Sequence, residues 1–223
     1  MINIFIGYDY REPIAYHTCV NSIIRHSSQP LAITPLALNL VPDYIERHND
    51  GSNDFTYLRF LVPYLMNYTG SAIYIDGDMI VTEDIVNLWK LRNNQYAAQV
   101  VKHDYQTTTS QKYLGAPNSS YPRKNWSSVI LFNCQRNRQL TPEYIQRSDG
   151  KTLHRFQWLT DDEIGELPTV WNWLADEFGE NNNAKLIHYT LGTPCFDDSS
   201  TVPMSDAWHN ERLLTNYALQ IQR

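Results

Sequence analysis

The sequence predicts an α/β fold, a sheet flanked by helices within one domain spanning residues 1–223. Three observations carry this reading. The chain opens with a strand-like run, Asn3–Gly7, that leads within a few residues into a helix with Pro13 at its start. Farther on, Ile73-Tyr74-Ile75-Asp76-Gly77-Asp78-Met79-Ile80-Val81 has the length and the β-branched, aromatic make-up of a buried core strand. The 223 residues are enough to bury one sizeable core.

The elements follow in order. Ile14, His17, Val20, Ile23 and Ile24 keep near-helical spacing after Pro13. Leu31–Leu38 reads as a second strand, and Pro35 within it suggests a sheet edge. Residues 41–52 are polar and turn-rich. Asp54 reads as the N-cap of a helix over Phe55–Leu61, with Pro63 ending or kinking it before the segment runs on to Tyr68. Thr69-Gly70 breaks the pattern ahead of the core strand. Glu83–Leu91 reads as a short helix and Tyr96–His103 as a strand. Gln106–Lys124 is a long polar loop, and loops of that length inside a domain are commonly functional or disordered. Asn125–Asn133 is another strand, Thr141-Pro142-Glu143 opens a helix and Asp149-Gly150 is a turn. Leu153–Leu159 fits helix and strand equally. Leu167–Leu174 reads as a late strand and turn, Lys185–Thr190 as the last strand, and 205–223 as a C-terminal helix carrying Trp208, Leu213, Leu214, Tyr217 and Leu219.

Composition excludes several function classes. The net charge is −6 and no basic block is present, which argues against a nucleic-acid polymer as partner and against a polybasic membrane anchor. No apolar run reaches membrane-spanning length, and Met1–Gly7 is too short to be a signal peptide. Cys19, Cys134 and Cys195 have no paired spacing and read as reduced thiols of a cytoplasmic protein. The many Tyr and Trp residues suit either ring stacking or core packing.

Chemistry concentrates at Asp76 and Asp78. Strand periodicity puts them on one face, where two like charges invite a cation, and oxygen ligands suit Mg²⁺ or Mn²⁺. Gly77 between them permits close approach of a ligand or of backbone; a strand running into an Asx turn would have the same letters. Arg59, inside an apolar stretch, is either half-exposed or buried against an anion, with Asp76 and Asp78 available. His188 is either a core histidine or a neutral imidazole ligand for the same ion. Tyr8 and Asp9, at the end of the first strand, are placed to hold a base or simply to pack and turn. Thr160-Asp161-Asp162-Glu163 gathers acids where a helix N-terminus would favour them.

Taken together in order, these segments resemble the nucleotide-sugar glycosyltransferases of the GT-A fold, most closely the retaining family 8 type. The matching segments are Gly7-Tyr8-Asp9, Tyr57-Leu58-Arg59-Phe60, Ile73–Asp84, Trp126–Asn133 and Ile187–Gly192. The resemblance implies a Rossmann-like mixed central sheet, a Mn²⁺ or Mg²⁺ ion on Asp76, Asp78 and His188, and a nucleoside-diphosphate sugar (a UDP-hexose) as donor. It implies donor contacts from Gly7, Tyr8, Asp9, Arg59, Asp76, Gly77, Ser127, Ser128 and Gly192. Asp161 or Asp162 would lie near the anomeric carbon, with Arg59 orienting the sugar or the metal carboxylates. Trp126 and Ser128 replace the family's Asn and Gly. The ending Thr193-Pro194-Cys195-Phe196 replaces the segment whose lysine touches the diphosphate, leaving Lys185 or a residue of the long loop as its substitute. The acceptor, whether glycan, lipid-linked or protein, is not encoded in any segment that can be read. Two other classes fit the same letters. One is a haloacid-dehalogenase-type phosphotransferase with Asp76 as nucleophile; the other is a non-catalytic binder of nucleotide sugars.

Overall fold

A computed structural model of the chain describes residues 1–112 and 115–216. Its centre is a six-stranded mixed sheet in the order β2-β1-β3-β6-β5-β7. The strands are β1 (Ile2–Gly7), β2 (Leu31–Leu36), β3 (Ser71–Ile75), β5 (Ala98–Val100), β6 (Val129–Asn133) and β7 (Ile164–Glu166). β1 pairs in parallel with β2 on one side and β3 on the other, whereas β6 runs antiparallel to β3 and β5. β2 is an edge strand, as Pro35 requires.

Side-chain alternation divides the sheet into two buried faces. Phe5, Ala72, Tyr74, Ile130 and Phe132 face one way, onto Leu58, Phe60 and Leu61. Ile4, Ile6, Ile73, Ile75, Val129 and Leu131 face the other, onto helices α1 (Pro13–Arg25) and α3 (Ile85–Lys90). Pro13 does open α1, and Asp84 caps α3 by accepting from the Val86 N–H.

The long apolar run is not one strand. It breaks at Asp76-Gly77-Asp78 into β3 and β4 (Met79–Val81), and β4 belongs to a separate three-stranded sheet, β4-β9-β8. Here β8 is Trp173–Leu174 and β9 is Leu186–His188. The two carboxylates therefore flank a turn between sheets instead of sharing a strand face. The cause is steric. A Cβ on Gly77 would stand 2.2 Å from the Gly7 carbonyl oxygen, so the chain passes directly over the end of β1. Gly77 answers to backbone, not only to a ligand.

Other expectations shift in smaller ways. Phe55–Leu61 is turn and 3₁₀ helix (Leu58–Leu61), and Pro63 sits in the first turn of α2 (Val62–Leu65) instead of ending a helix. The ambiguous 153–159 stretch closes α5 (Gly150–His154), which follows α4 (Pro142–Arg147). After α6 (Ala175–Phe178), the last described helix is α7 (Ser205–Asn216). Its Trp208 is fully buried against Ile80, Ile187 and Tyr189, and its Glu211 holds Arg25 (2.6 Å) and Asn21 (2.9 Å) of α1. Leu213 is exposed, which accounts for the loose helical pattern, while Tyr217 and Leu219 lie outside the described residues. Among the described residues no helix is long and apolar enough to cross a membrane.

Gly77→Ala is expected to destabilise the fold by about 1–3 kcal/mol, the usual range for overpacking, because its neighbour is backbone and cannot rotate away. Chemical denaturation of both forms measures it.

Candidate active site

The carboxyl ends of β1 and β3 lie side by side, and the chain leaves β1 toward β2 on the other flank. Such a switch point leaves a crevice beyond the strand ends. The antiparallel register brings Val129 opposite Ile75, so Ser127 and Ser128 arrive at the same place. In the second sheet Met79 pairs with His188, which sets the histidine beside Asp78. These ends open on a cavity of about 710 Å³, within the range usual for small-molecule sites. Arg59, Asp76, Asp78, Ser127, Ser128 and His188 all line it.

Arg59 is buried and committed. Its Nε donates to the Thr56 carbonyl at 2.9 Å, and one terminal nitrogen donates to the Ser127 carbonyl at 2.9 Å and meets Asp76 Oδ1 at 2.9 Å. Tyr74 donates its hydroxyl to Asp76 Oδ1 as well. Burial works against the charge of this guanidinium, but Asp76, Tyr74 and Asp78 together outweigh it, so Arg59 stays firmly protonated. Burial raises the Asp76 carboxyl above its ordinary range; Arg59 opposes the rise and the nearby charge of Asp78 adds to it.

Asp78 has the opposite condition. Its Oδ1 is buried and has no hydrogen-bond partner. His188 Nε2 lies 3.4 Å from that oxygen. The tautomer of His188 follows from its neighbour. Asn172 Nδ2 donates to the Asn125 carbonyl at 3.0 Å, which turns Asn172 Oδ1 toward His188 Nδ1 at 2.9 Å. In a neutral ring Nδ1–H is therefore the donor, and Nε2 presents a lone pair to Asp78. Two acceptors face each other across a gap that suits a cation. Among the described residues Asp76, Asp78 and His188 form the one group that could hold a metal ion, with a ligand atom from each within 4.8 Å of the others.

Other residues called from sequence fall elsewhere. Gly7, Tyr8, Asp9, Gly77 and Gly192 are not among the lining residues. Asp9 is buried, and its carboxylate accepts from Arg11 and from the Asp54 N–H (3.2 Å). Tyr8 packs edge-on against Tyr16. Asp161 and Asp162 are exposed and outside the cavity, in a 3₁₀ turn with Thr160 as N-cap and Glu163 closing a capping box, and Asp161 is paired to Arg123. The acids there complement a helical N-terminus.

The cavity also gathers residues that sequence reasoning passed over. His154, from the stretch that could not be assigned, faces Ser127 Oγ at 2.8 Å through Nδ1, and burial, Arg59 and Lys112 hold its pKa well below the ordinary histidine value. Asp50, Lys112, Tyr121, Lys151 and Thr190 line the wall too, and Thr190 Oγ1 is buried without a partner. The length and polarity of the 106–124 loop pointed to Lys112 and Tyr121, and Thr190 falls within the matching segment Ile187–Gly192.

Glu12, at the N-terminus of α1, is buried and accepts from Thr193 Oγ1 at 2.7 Å. Burial, with the charges of Asp78 and Asp9, raises its pKa from 4.5 to about 8. The native form thus keeps a proton that the unfolded chain gives up above pH 4.5, so stability falls as pH rises from there to about 8. Glu12→Gln keeps the acceptor for Thr193 and removes the ionisation. In metal-free thermal melts the variant should match the native chain near pH 5 and exceed it near pH 8 by on the order of 5 °C.

Comparison with known proteins agrees with this geometry. The description Glycosyl transferase family 8 matches residues 42–193. Protein CDI of Arabidopsis thaliana is 41% identical over 219 residues, covering 93% of this chain and 85% of that protein. Among solved structures, the apo form of the bifunctional glycosyltransferase WbbM superposes with a TM-score of 0.63 at 16% identity, covering 95% of this chain and 49% of that one. The galactosyltransferase LgtC, in complex with donor and acceptor sugar analogues, gives 0.59 at 13% identity and covers 98% of each chain. At these identities the solved structures establish the fold, and this chain spans about half the length of WbbM. The chain belongs to glycosyl transferase family 8 and is built as a glycosyltransferase of the GT-A type.

Proposed function

We propose that residues 1–223 form one GT-A domain that transfers a hexosyl group from a UDP-sugar to an acceptor hydroxyl, with retention and with a divalent ion bound. The observation that carries this reading is the meeting of Asp76, Asp78 and His188 at the wall of a ligand-sized cavity in a family 8 chain. Asp78 Oδ1 and His188 Nε2, both lacking a donor, fit a Mn²⁺ or Mg²⁺ ion, and Asp76 completes the set. When bound, that ion neutralises charge on the diphosphate as it leaves.

The chain's own residues do the rest. Arg59 fixes the Asp76 carboxylate from behind and draws the Ser127 backbone into the same array. Ser127, Ser128 and His154 offer polar atoms along the sugar's side of the cavity. The bond between the anomeric carbon and the β-phosphate oxygen breaks, with its electron pair leaving on the diphosphate. The acceptor oxygen bonds to the same carbon, and its proton passes to the released diphosphate. Since Asp161 and Asp162 are outside the cavity, no covalent intermediate is assigned to them. Tyr8 and Asp9 remain as expected contacts for the base, a role that requires Asp9 to exchange its Arg11 and Asp54 partners. The three free cysteines suit a reducing compartment, the cytoplasm. The haloacid-dehalogenase alternative needs Asp76 as a free nucleophile, whereas Arg59 and Tyr74 occupy it, and family membership sets that reading aside.

Asp78→Asn is the direct test. It should keep the fold and lose Mn²⁺-dependent release of UDP from donor by about 10²-fold or more. Transfer at the native rate by this variant overturns the metal assignment, and absence of donor turnover by the native chain across UDP-hexoses, with Mn²⁺ and a panel of acceptors, overturns the activity. A subtler check concerns Asn172. Its replacement by Ala frees the His188 ring to adopt the other tautomer, so Mn²⁺ affinity measured by calorimetry should fall about 10-fold or more.

A further inference from the structure

One charge in the proposed transfer is unmatched. As the glycosidic bond breaks, the diphosphate gains negative charge, yet two of the ion's three ligands are themselves carboxylates and Arg59 is already spent on Asp76 and backbone carbonyls. A further cation within the cavity would offset that charge. Lys185 does not supply it: its ammonium sits 5.5 Å from the centre of the Trp171 ring, and the residue is not part of the cavity wall. Lys151 and Arg155 also line the wall, but Lys151 is exposed and the Arg155 guanidinium is engaged over the Tyr121 ring, 5.8 Å from its centre.

Lys112 fits the role. It lines the cavity, is half-buried, and the charges it senses are those of Asp78, Arg59 and Asp76. Its ammonium donates to Ser52 Oγ at 3.0 Å, a neutral partner that an anion can displace. Its position is built, not incidental. Gln111 bridges to Pro117, the Lys112 N–H donates to the Ala116 carbonyl at 2.9 Å, and the Asn118 N–H donates to the Ser110 carbonyl at 2.9 Å. Lys124, itself 8% exposed, anchors this hairpin by donating to the Ser119 carbonyl at 2.8 Å and to Asn118 Oδ1.

We propose that Lys112 is the diphosphate-binding cation of this chain, leaving Ser52 to pair with an oxygen of the β-phosphate. The inference rests on the proposed donor class and names the residue that selects a diphosphate over a monophosphate. Calorimetric titration of the full chain with UDP and with UMP, each with Mn²⁺, tests it. Lys112→Ala should weaken UDP binding about tenfold or more while leaving UMP binding unchanged. Lys112→Arg should recover most of the difference, and Lys185→Ala should behave as the native chain. An unchanged melting temperature of ligand-free Lys112→Ala shows that the fold is intact. If the native chain binds UDP and Lys112→Ala keeps the same preference for UDP over UMP, the assignment of Lys112 is wrong. If the native chain binds no UDP with Mn²⁺, the proposed function fails, and this inference with it.

Discussion

Asp76 and Asp78 are brought within a few ångströms of each other and away from water, and their mutual repulsion is the constraint around which the rest is arranged. Each carboxylate is answered differently. Asp76 is held by a buried guanidinium and a tyrosine hydroxyl. Asp78 keeps one oxygen unsatisfied next to an imidazole whose lone pair is turned toward it. A buried carboxylate with its bonds made is a scaffold; a buried oxygen with none attracts positive charge. The turn thus divides labour between a carboxylate that fixes geometry and one that is held ready for a positive charge.

That division depends on a backbone feature. Gly77 passes over the Gly7 carbonyl, which turns the chain out of the large sheet and into the small one. Had the run continued as one strand, Asp76 and Asp78 would both face one side of the large sheet, and β4 would not be available to pair with β9. His188 reaches the site only because β9 pairs with β4 in a register that places it opposite Met79. The two sheets are therefore not duplicate layers. The large one carries most of the core, while the small one adds Met79, Val81 and Leu186 to it and delivers His188 to the site.

Much of this could be read from the letters. The α/β class, the opening strand and helix, the carboxylate pair, Arg59 and His188 each left a local signal in composition or spacing. The break at Gly77 did not, because a buried strand and two short strands in different sheets have the same apolar content; only the collision with Gly7 distinguishes them, and that is a tertiary fact. Asn172 and His154 were invisible for a related reason. Their meaning lies in which atom they turn toward His188 or Ser127, and orientation has no period. Asp161 and Asp162 carry a signal that two settings share. A run of acids serves a capped turn as readily as a reaction centre, and here it lies at the surface.

The pairing of Met79 with His188 also makes the proposed cation site depend on contacts between segments far apart in the chain. A nascent polypeptide that has emerged only through Asp78 offers two carboxylates and nothing softer. The nitrogen donor is added when a segment translated much later docks on β4, under cover of Trp208 from the helix beyond it. The proposed ion site is thus complete only once β9 has docked on β4.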